Sequence, residues 1–260
     1  MCLIAFSYKE NPVYKLILLA NRDEFFARPT RPAQFDGDLL AGKDLQEGGT
    51  WLGLSRKGRV AAVTNFRTPP ESSKPLKSRG LLISDFLNSN CSVHEYIEKV
   101  SAERDCYFPF NLLLYDGSEL FYYSSTLNKL SCIESGIHAL SNHHIDSNWP
   151  KVNKVKHSLE HLLANNKAHC PEDFLEIMED PTPAEESLLP KTGVSLEWER
   201  KLSPIFIKDD GYGTRSTAVL LVEHSNRAHF IEKSHYANRR SAITCNEFFI
   251  FEKCDSQTSK

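Results

Sequence analysis

A cysteine stands at position 2, and the run Asn21-Arg22-Asp23-Glu24 follows a short apolar segment. If Met1 is removed, Cys2 carries a thiol and an α-amine on one residue. Such an amine has a reference pKa of about 7.7–8.0 and is partly neutral near pH 7. It can therefore take the thiol proton as an internal base. A guanidinium nearby lowers a thiol pKa and favours thiolate. Arg22 can supply that charge, while Asp23 can hold the α-ammonium or orient Arg22. The chemistry would be nucleophilic attack on a carbonyl. The same residues also fit an ordinary buried cysteine beside a strand-end ion pair, because cysteines are commonly buried without a role.

Secondary structure must bring these groups together. Residues 2–8 (CLIAFSY) and 14–21 (YKLILLAN) are apolar runs around the turn signal Glu10-Asn11-Pro12. Paired as a hairpin, they put positions 20–23 within a few residues of Cys2. Residues 22–36, polar with Pro29 and Pro32, read as a loop. A second hairpin joins 50–55 to 59–66 through Lys57-Gly58.

A proline-rich loop is expected at 67–78, then helices at 79–88 and 92–103, the latter with Ser92 and Glu95 as a capping box. Strands resume at 111–116, 119–125, 129–134 and 137–142. A helix of about 15 residues starts near Pro150, with Val152, Val155, Leu159, Leu162 and Leu163 on one face at helical spacing. Residues 172–179 read as another helix. A low-order stretch with Pro181, Pro183 and Pro190 precedes strands at 215–224, 228–234 and 243–252. Hairpins dominate and βαβ alternation is absent. This order predicts an α+β fold, antiparallel sheets with helices packed outside, as a single domain over 1–260.

The formal net charge is -3, with 25% charged and 40% hydrophobic residues. No basic excess points to nucleic acid, and none is expected as a partner. No apolar run approaches the roughly 18 residues of a membrane helix, and the N-terminus lacks the basic region of a secretory signal. Seven scattered cysteines without a CxxC pair suit reduced thiols in a cytosol-like compartment.

Three motif-like strings are set aside. Gly37–Lys43 nearly spells a phosphate-binding loop, but Asp44 stands where a hydroxyl is needed; it reads as a turn between short strands. His157 and His161 in an H-x-x-E-H string lie across their helix from the apolar stripe and point at solvent. Gly211-Tyr212-Gly213 lacks the third glycine and the preceding strand of a dinucleotide fingerprint. No metal ligand set is expected.

The string ANRDEFFARPT at 20–30 resembles the hallmark of the NRDE proteins, also called the transport and Golgi organisation protein 2 family. GGTWLGLSRKGRVAAVTNFR (48–67), LSNHHID (140–146) and GYGTRSTAVLLV (211–222) are similar to further blocks of that family. The resemblance implies an N-terminal-nucleophile (Ntn) hydrolase-like fold, a four-layer αββα sandwich of two antiparallel sheets. It also invites comparison with cysteine Ntn amidases such as bile-salt and penicillin V hydrolases. By that likeness Asn142 and Asn65 become candidate oxyanion donors and Arg215 a late active-site arginine. In those amidases Arg and Asp are spaced R-x-x-D, whereas Arg22 and Asp23 are adjacent. Adjacent strand residues face opposite sides of a sheet.

Two functions follow as expectations. In the first, the chain handles a small molecule, haem or an acyl-CoA-like lipid, in a pocket next to Cys2. Lipid homeostasis and haem trafficking are what the family likeness implies here. Arg22, Arg67 and Arg215 would then meet carboxylate or phosphate groups, with Asn21, Glu24 and Trp51 beside the ligand. His143 or His144 would serve as a haem ligand, although loop histidines need no such role. No cofactor is required, and haem enters only as cargo. In the second, Cys2 is the nucleophile of a hydrolase cleaving an amide or thioester. A cytoplasmic protein is expected, with transient membrane contact open to it and mitochondrial or Golgi association if it is eukaryotic.

Overall fold

The computed structural model describes residues 2–69, 76–164 and 170–252. Part of the expected proline-rich loop at 67–78, and Cys254, lie outside the described residues.

The first hairpin joins β1 (Cys2–Tyr8) to β2 (Tyr14–Phe25). Its turn is closed by Asn11, whose Oδ1 accepts from the amides of Val13 and Tyr14 at 2.9 and 3.0 Å. Every residue of β1 is buried, as an unbroken apolar run demands when both sheet faces are covered. Strands β3 (Thr30–Asp36), β4 (Leu39–Asp44), β5 (Leu52–Ser55) and β6 (Val60–Asn65) follow. Helices α1 (Arg79–Asn88) and α2 (Val93–Ala102) lead to β7 (Phe110–Tyr115), β8 (Leu120–Ser124), β9 (Lys129–Cys132) and β10 (Gly136–Leu140). Then come α3 (Pro150–Ala164), α4 (Pro171–Met178) and α5 (Leu196–Lys201), and last β11 (Tyr212–Glu223), β12 (Arg227–His235) and β13 (Ser241–Ile250).

Among the described residues the strands form two antiparallel sheets, ordered β10-β1-β2-β11-β12-β13 and β3-β4-β5-β6-β7-β8-β9. Alternate residues of each sheet meet in a shared core, Ile4, Phe6 and Leu18 from one packing with Leu40, Leu54 and Leu113 from the other. The opposite face of the first sheet, through Leu3, Ala5 and Ile17, packs on Val152, Val155 and Leu159 of α3 and Phe174 of α4. That of the second packs on α1 and α2 through Ile83, Phe86 and Ile97. The result is four layers, α-β-β-α. Each fully buried Leu, Ile or Phe contributes on the order of 1.5–3 kcal/mol. The helix stripe and the Ser92–Glu95 capping box form as the spacing predicts, and His157 and His161 are exposed.

Two expectations need correction. Residues 22–36 are not a loop: β2 runs on to Phe25 by pairing with β11, and Thr30–Asp36 is a strand. Pro32 fits there because β3 is an edge strand whose register shifts between Arg31 and Gln34, so no ladder donor is missed. The low-order stretch also contains α5, which Ser195 caps by accepting from the Trp198 amide at 3.3 Å.

Buried polar links tie the layers together. Asn21 donates to the carbonyls of Met178 and Ile205 at 2.8 and 2.9 Å and accepts from Thr217 at 2.7 Å. Thr217 in turn meets His235 Nε2 at 3.0 Å. Burial lowers the pKa of His235 to about 4. The unfolded chain, with histidine near 6.5, takes up a proton that the folded chain refuses. Stability is therefore expected to fall as pH drops from about 6.5 toward about 4, and to lose that slope in His235→Phe. Urea midpoints across that range would measure it.

Candidate active site

Strand register sets the site. Cys2 lies directly opposite Arg22 in the β1–β2 ladder. With side chains alternating along each strand, both belong to the face that carries Ile4, Phe6, Leu18 and Ala20 into the core between the sheets. At this end the core opens into a cavity of about 380 Å³. Cys2, Arg22, Asp23, Glu24, Trp51 and Asn65 all line it.

Arg22 does not act alone there. Its guanidinium donates to Thr30 Oγ1 at 2.8 Å and Asp44 Oδ2 at 3.2 Å. Arg28 Nε donates to the same Asp44 oxygen at 2.6 Å, while the amides of Gln46 and Glu47 reach its Oδ1. Burial pushes the Asp44 carboxyl up, but the Arg28 bond and these amides outweigh it and hold the pKa below its ordinary value. Nothing in the sequence marks Thr30, Arg28 or Asp44 as part of this site. Asp44 is the very residue that breaks the phosphate-loop pattern, and only the cross-sheet meeting of β4 with β2 reveals its partner.

Burial raises the Cys2 thiol pKa, and the Asp23 carboxylate adds to this, with Arg22 opposing. The resting sulfur is therefore a thiol, and its activation needs a base. Asp23, one residue beyond Arg22, is directed to the other side of the sheet, as strand alternation predicts. Thr214 Oγ1 donates to its Oδ1 at 2.7 Å. Burial raises its pKa, opposed by the ammonium of Lys151 on α3. Lys151 is itself buried, donates to the Leu202 carbonyl at 3.1 Å, and is lowered by burial to about 8. Asp23 still reaches the cavity wall. Glu24 lies at the mouth, accepting from the Phe25 amide and standing 3.9 Å from Arg28.

The remaining candidates brace the site from outside the cavity. Asn142 is fully buried and donates from Nδ2 to the Asn65 carbonyl at 3.1 Å. Its neighbour Ser141 donates to the Cys2 carbonyl at 3.4 Å. Arg67 bonds its amide to the Asn142 carbonyl at 2.7 Å and pairs with Glu199. Arg215 sits at the β11 bulge and caps the carbonyls of Phe25, Phe26 and Arg28, so it fixes the loop after β2. Asn21 links the sheet to α4 as described above. His143 and His144 pack on Phe66 at 5.0 and 4.9 Å between ring centres, with burial lowering both pKa values.

The far wall depends on two glycines. A Cβ on Gly49 would come within 2.3 Å of the Gly80 carbonyl carbon, so the backbones touch. This contact seats the start of α1, where Arg79 donates to the Pro109 carbonyl at 3.2 Å and faces the cavity. Among the described residues no group of three or more His, Cys, Asp or Glu is clustered as metal ligands would be.

The family model described as Transport and Golgi organisation 2 matches residues 1–237. The Transport and Golgi organization protein 2 homolog of Bos taurus is 32% identical, over 90% of this chain and 93% of its own length. That of Homo sapiens is 31% identical with the same coverage. Among solved structures, a mutant conjugated bile acid hydrolase from Clostridium perfringens superposes with a TM-score of 0.54 at 12% identity, covering 97% of both chains. The fold is thus the α+β, Ntn hydrolase-like sandwich.

Proposed function

This chain belongs to the Transport and Golgi organisation 2 family, and from that premise we propose that it is a cysteine N-terminal-nucleophile hydrolase of an anionic acyl compound, cleaving an amide or thioester. The observation that carries this reading is the placement of Cys2 opposite Arg22 on the wall of a cavity that Asp23 and Asn65 also line. The structural neighbour is a hydrolase that bears its name for conjugated bile acids. The likeness supplies a fold, and the reading for this chain stands on its own residues.

With Met1 gone, Cys2 Sγ attacks the acyl carbonyl carbon while its proton passes to the α-amine. Asn65 donates to the developing oxyanion. Asn142, outside the cavity, positions Asn65 through its bond to the Asn65 carbonyl. The carbon–nitrogen or carbon–sulfur bond then breaks, and the leaving group takes the proton from the α-ammonium. Water, deprotonated by the same amine, releases the acid from Cys2. Asp23 balances the ammonium. Arg22 and Arg28 are answered by Asp44 and Lys77 by Glu103, whereas Lys43 and Arg79 make no ion pair among the described residues and can meet the negative charge of an acyl compound.

The same cations favour a second reading, in which an acyl-CoA-like lipid is held and handed on uncleaved. Haem as cargo gains nothing from this cavity, because neither His143 nor His144 lines it.

Intact mass of the purified protein, followed by incubation with a long-chain acyl-CoA and with an N-acyl amino acid, tests the proposal. The expected result is a mass without Met1, release of free acid from at least one probe, and a transient acyl adduct on Cys2. A retained Met1, or both probes recovered unchanged, would overturn hydrolysis; bound but intact acyl-CoA would favour the second reading.

A further inference from the structure

A second recess, of about 260 Å³, lies beside the β12–β13 turn. Its buried wall is formed by Phe206, Ile207, Thr214 and His235, and its exposed rim includes Lys208 and Arg240. Nothing in the proposed hydrolysis uses it.

The hydrogen-bond chain behind His235 fixes its tautomer. Asn21 spends its amide N–H groups on the Met178 and Ile205 carbonyls, so its Oδ1 is the acceptor for the Thr217 hydroxyl proton. The Thr217 oxygen must then accept from His235, and Nε2 carries the proton. Nδ1 is left as a bare acceptor on a side chain only 7% exposed, with no hydrogen-bond partner among the described residues. Burial keeps the ring neutral, so this lone pair persists. At the wall of the recess this acceptor is open to a donor from outside.

Charge at the rim points the same way. The acids near the recess are already answered: Lys233 binds Glu179 at 2.5 Å, and Lys201 binds Asp209. Lys208 and Arg240 make no ion pair among the described residues, and Arg239 reaches only the exposed Asp210 at 3.7 Å. Phe206 meets the His235 ring edge-on at 4.7 Å and, with Phe26, offers an apolar surface.

We propose that this recess is a ligand site for a small, flat organic acid bearing a hydroxyl or N–H. The donor meets His235 Nδ1, the ring lies against Phe206 and Phe26, and the acid group meets Lys208 and Arg240. Titration calorimetry of the full chain with 4-hydroxybenzoate and 4-methoxybenzoate is the test. The hydroxy acid should bind about tenfold more tightly, the worth of one hydrogen bond. Lys208→Ser with Arg240→Ser, both exposed, should weaken it by about tenfold or more, and His235→Phe should equalise the two acids. No binding of 4-hydroxybenzoate, or equal binding of the two acids to the unaltered chain, would overturn the site. So would binding that survives the double substitution yet is lost in Arg79→Ser, since the acid would then occupy the Cys2 cavity. If His235→Phe does not fold, the paired acids on the unaltered chain still decide.

Discussion

Replacing Cys2 with alanine is expected to remove hydrolysis of an acyl-CoA or N-acyl amino acid by roughly 10⁴-fold or more, the scale on which loss of a nucleophile acts. Among the described cysteines, Cys2 is the one that lines this cavity. Binding should persist, because Arg22 is held by Thr30 and Asp44 rather than by the thiol, and the cations around the cavity are untouched. The fold should hardly notice, since one sulfur at a cavity wall is worth about 1 kcal/mol or less. Acid release measured beside equilibrium binding separates the readings: lost turnover with retained binding supports a nucleophile. Unchanged turnover in Cys2→Ala would remove Cys2 from the chemistry. The pH profile adds a second check. Burial holds the thiol protonated at neutral pH, so the rate depends on the neutral amine. It should rise with pH toward that group's ordinary value of about 7.7–8.0.

Much of the framework behind this site is legible in sequence because it depends on local patterns. The Cys2–Arg22 pairing follows from two apolar runs and a turn whose length fixes register, and a slip by one residue would exchange the side chains of the inter-sheet face with those of the helix-covered face. The α3 face and the Ser92 cap are likewise matters of spacing over a few residues. What escapes is decided at long range. The polar segment from Arg22 to Phe25 stays a strand only because β11 pairs with it, and β3 tolerates Pro32 only because it is an edge. Arg28 and Asp44 stand at the open end of the β3–β4 hairpin with no motif of their own. Their meeting with Arg22 depends on how one sheet's rim is laid over the other. The placement of Arg215 turns on a bulge between Thr214 and Ser216 that no alternation pattern announces.

Arg67 and Glu199 show how such long-range pairing reaches the cavity without entering it. The guanidinium and carboxylate meet at 2.5 Å with side chains 5% and 3% exposed, and the guanidinium lies 4.7 Å over Trp149. Glu199 also accepts from the Thr192 hydroxyl and amide at 2.5 and 3.1 Å. Removing one partner strands the other charge in apolar surroundings, at a cost of roughly 3–5 kcal/mol. For a chain of this size that corresponds to a fall of about 6–20 °C in Tm. Glu199→Ala should be the worse single change. It leaves a guanidinium whose Nε and second terminal nitrogen already lack partners among the described residues. Arg67→Ala leaves a carboxylate still bound by Thr192. The double change Arg67→Met with Glu199→Leu should recover much of the loss, because no charge is then buried unpaired. The effect should also reach turnover. The Arg67 amide holds the Asn142 carbonyl, and the Asn142 amide holds the carbonyl of Asn65 on the cavity wall. Thermal melts of the two singles and the double decide the matter. If both singles melt within a degree or two of the unaltered chain, the pair is not the buried clamp that its geometry describes.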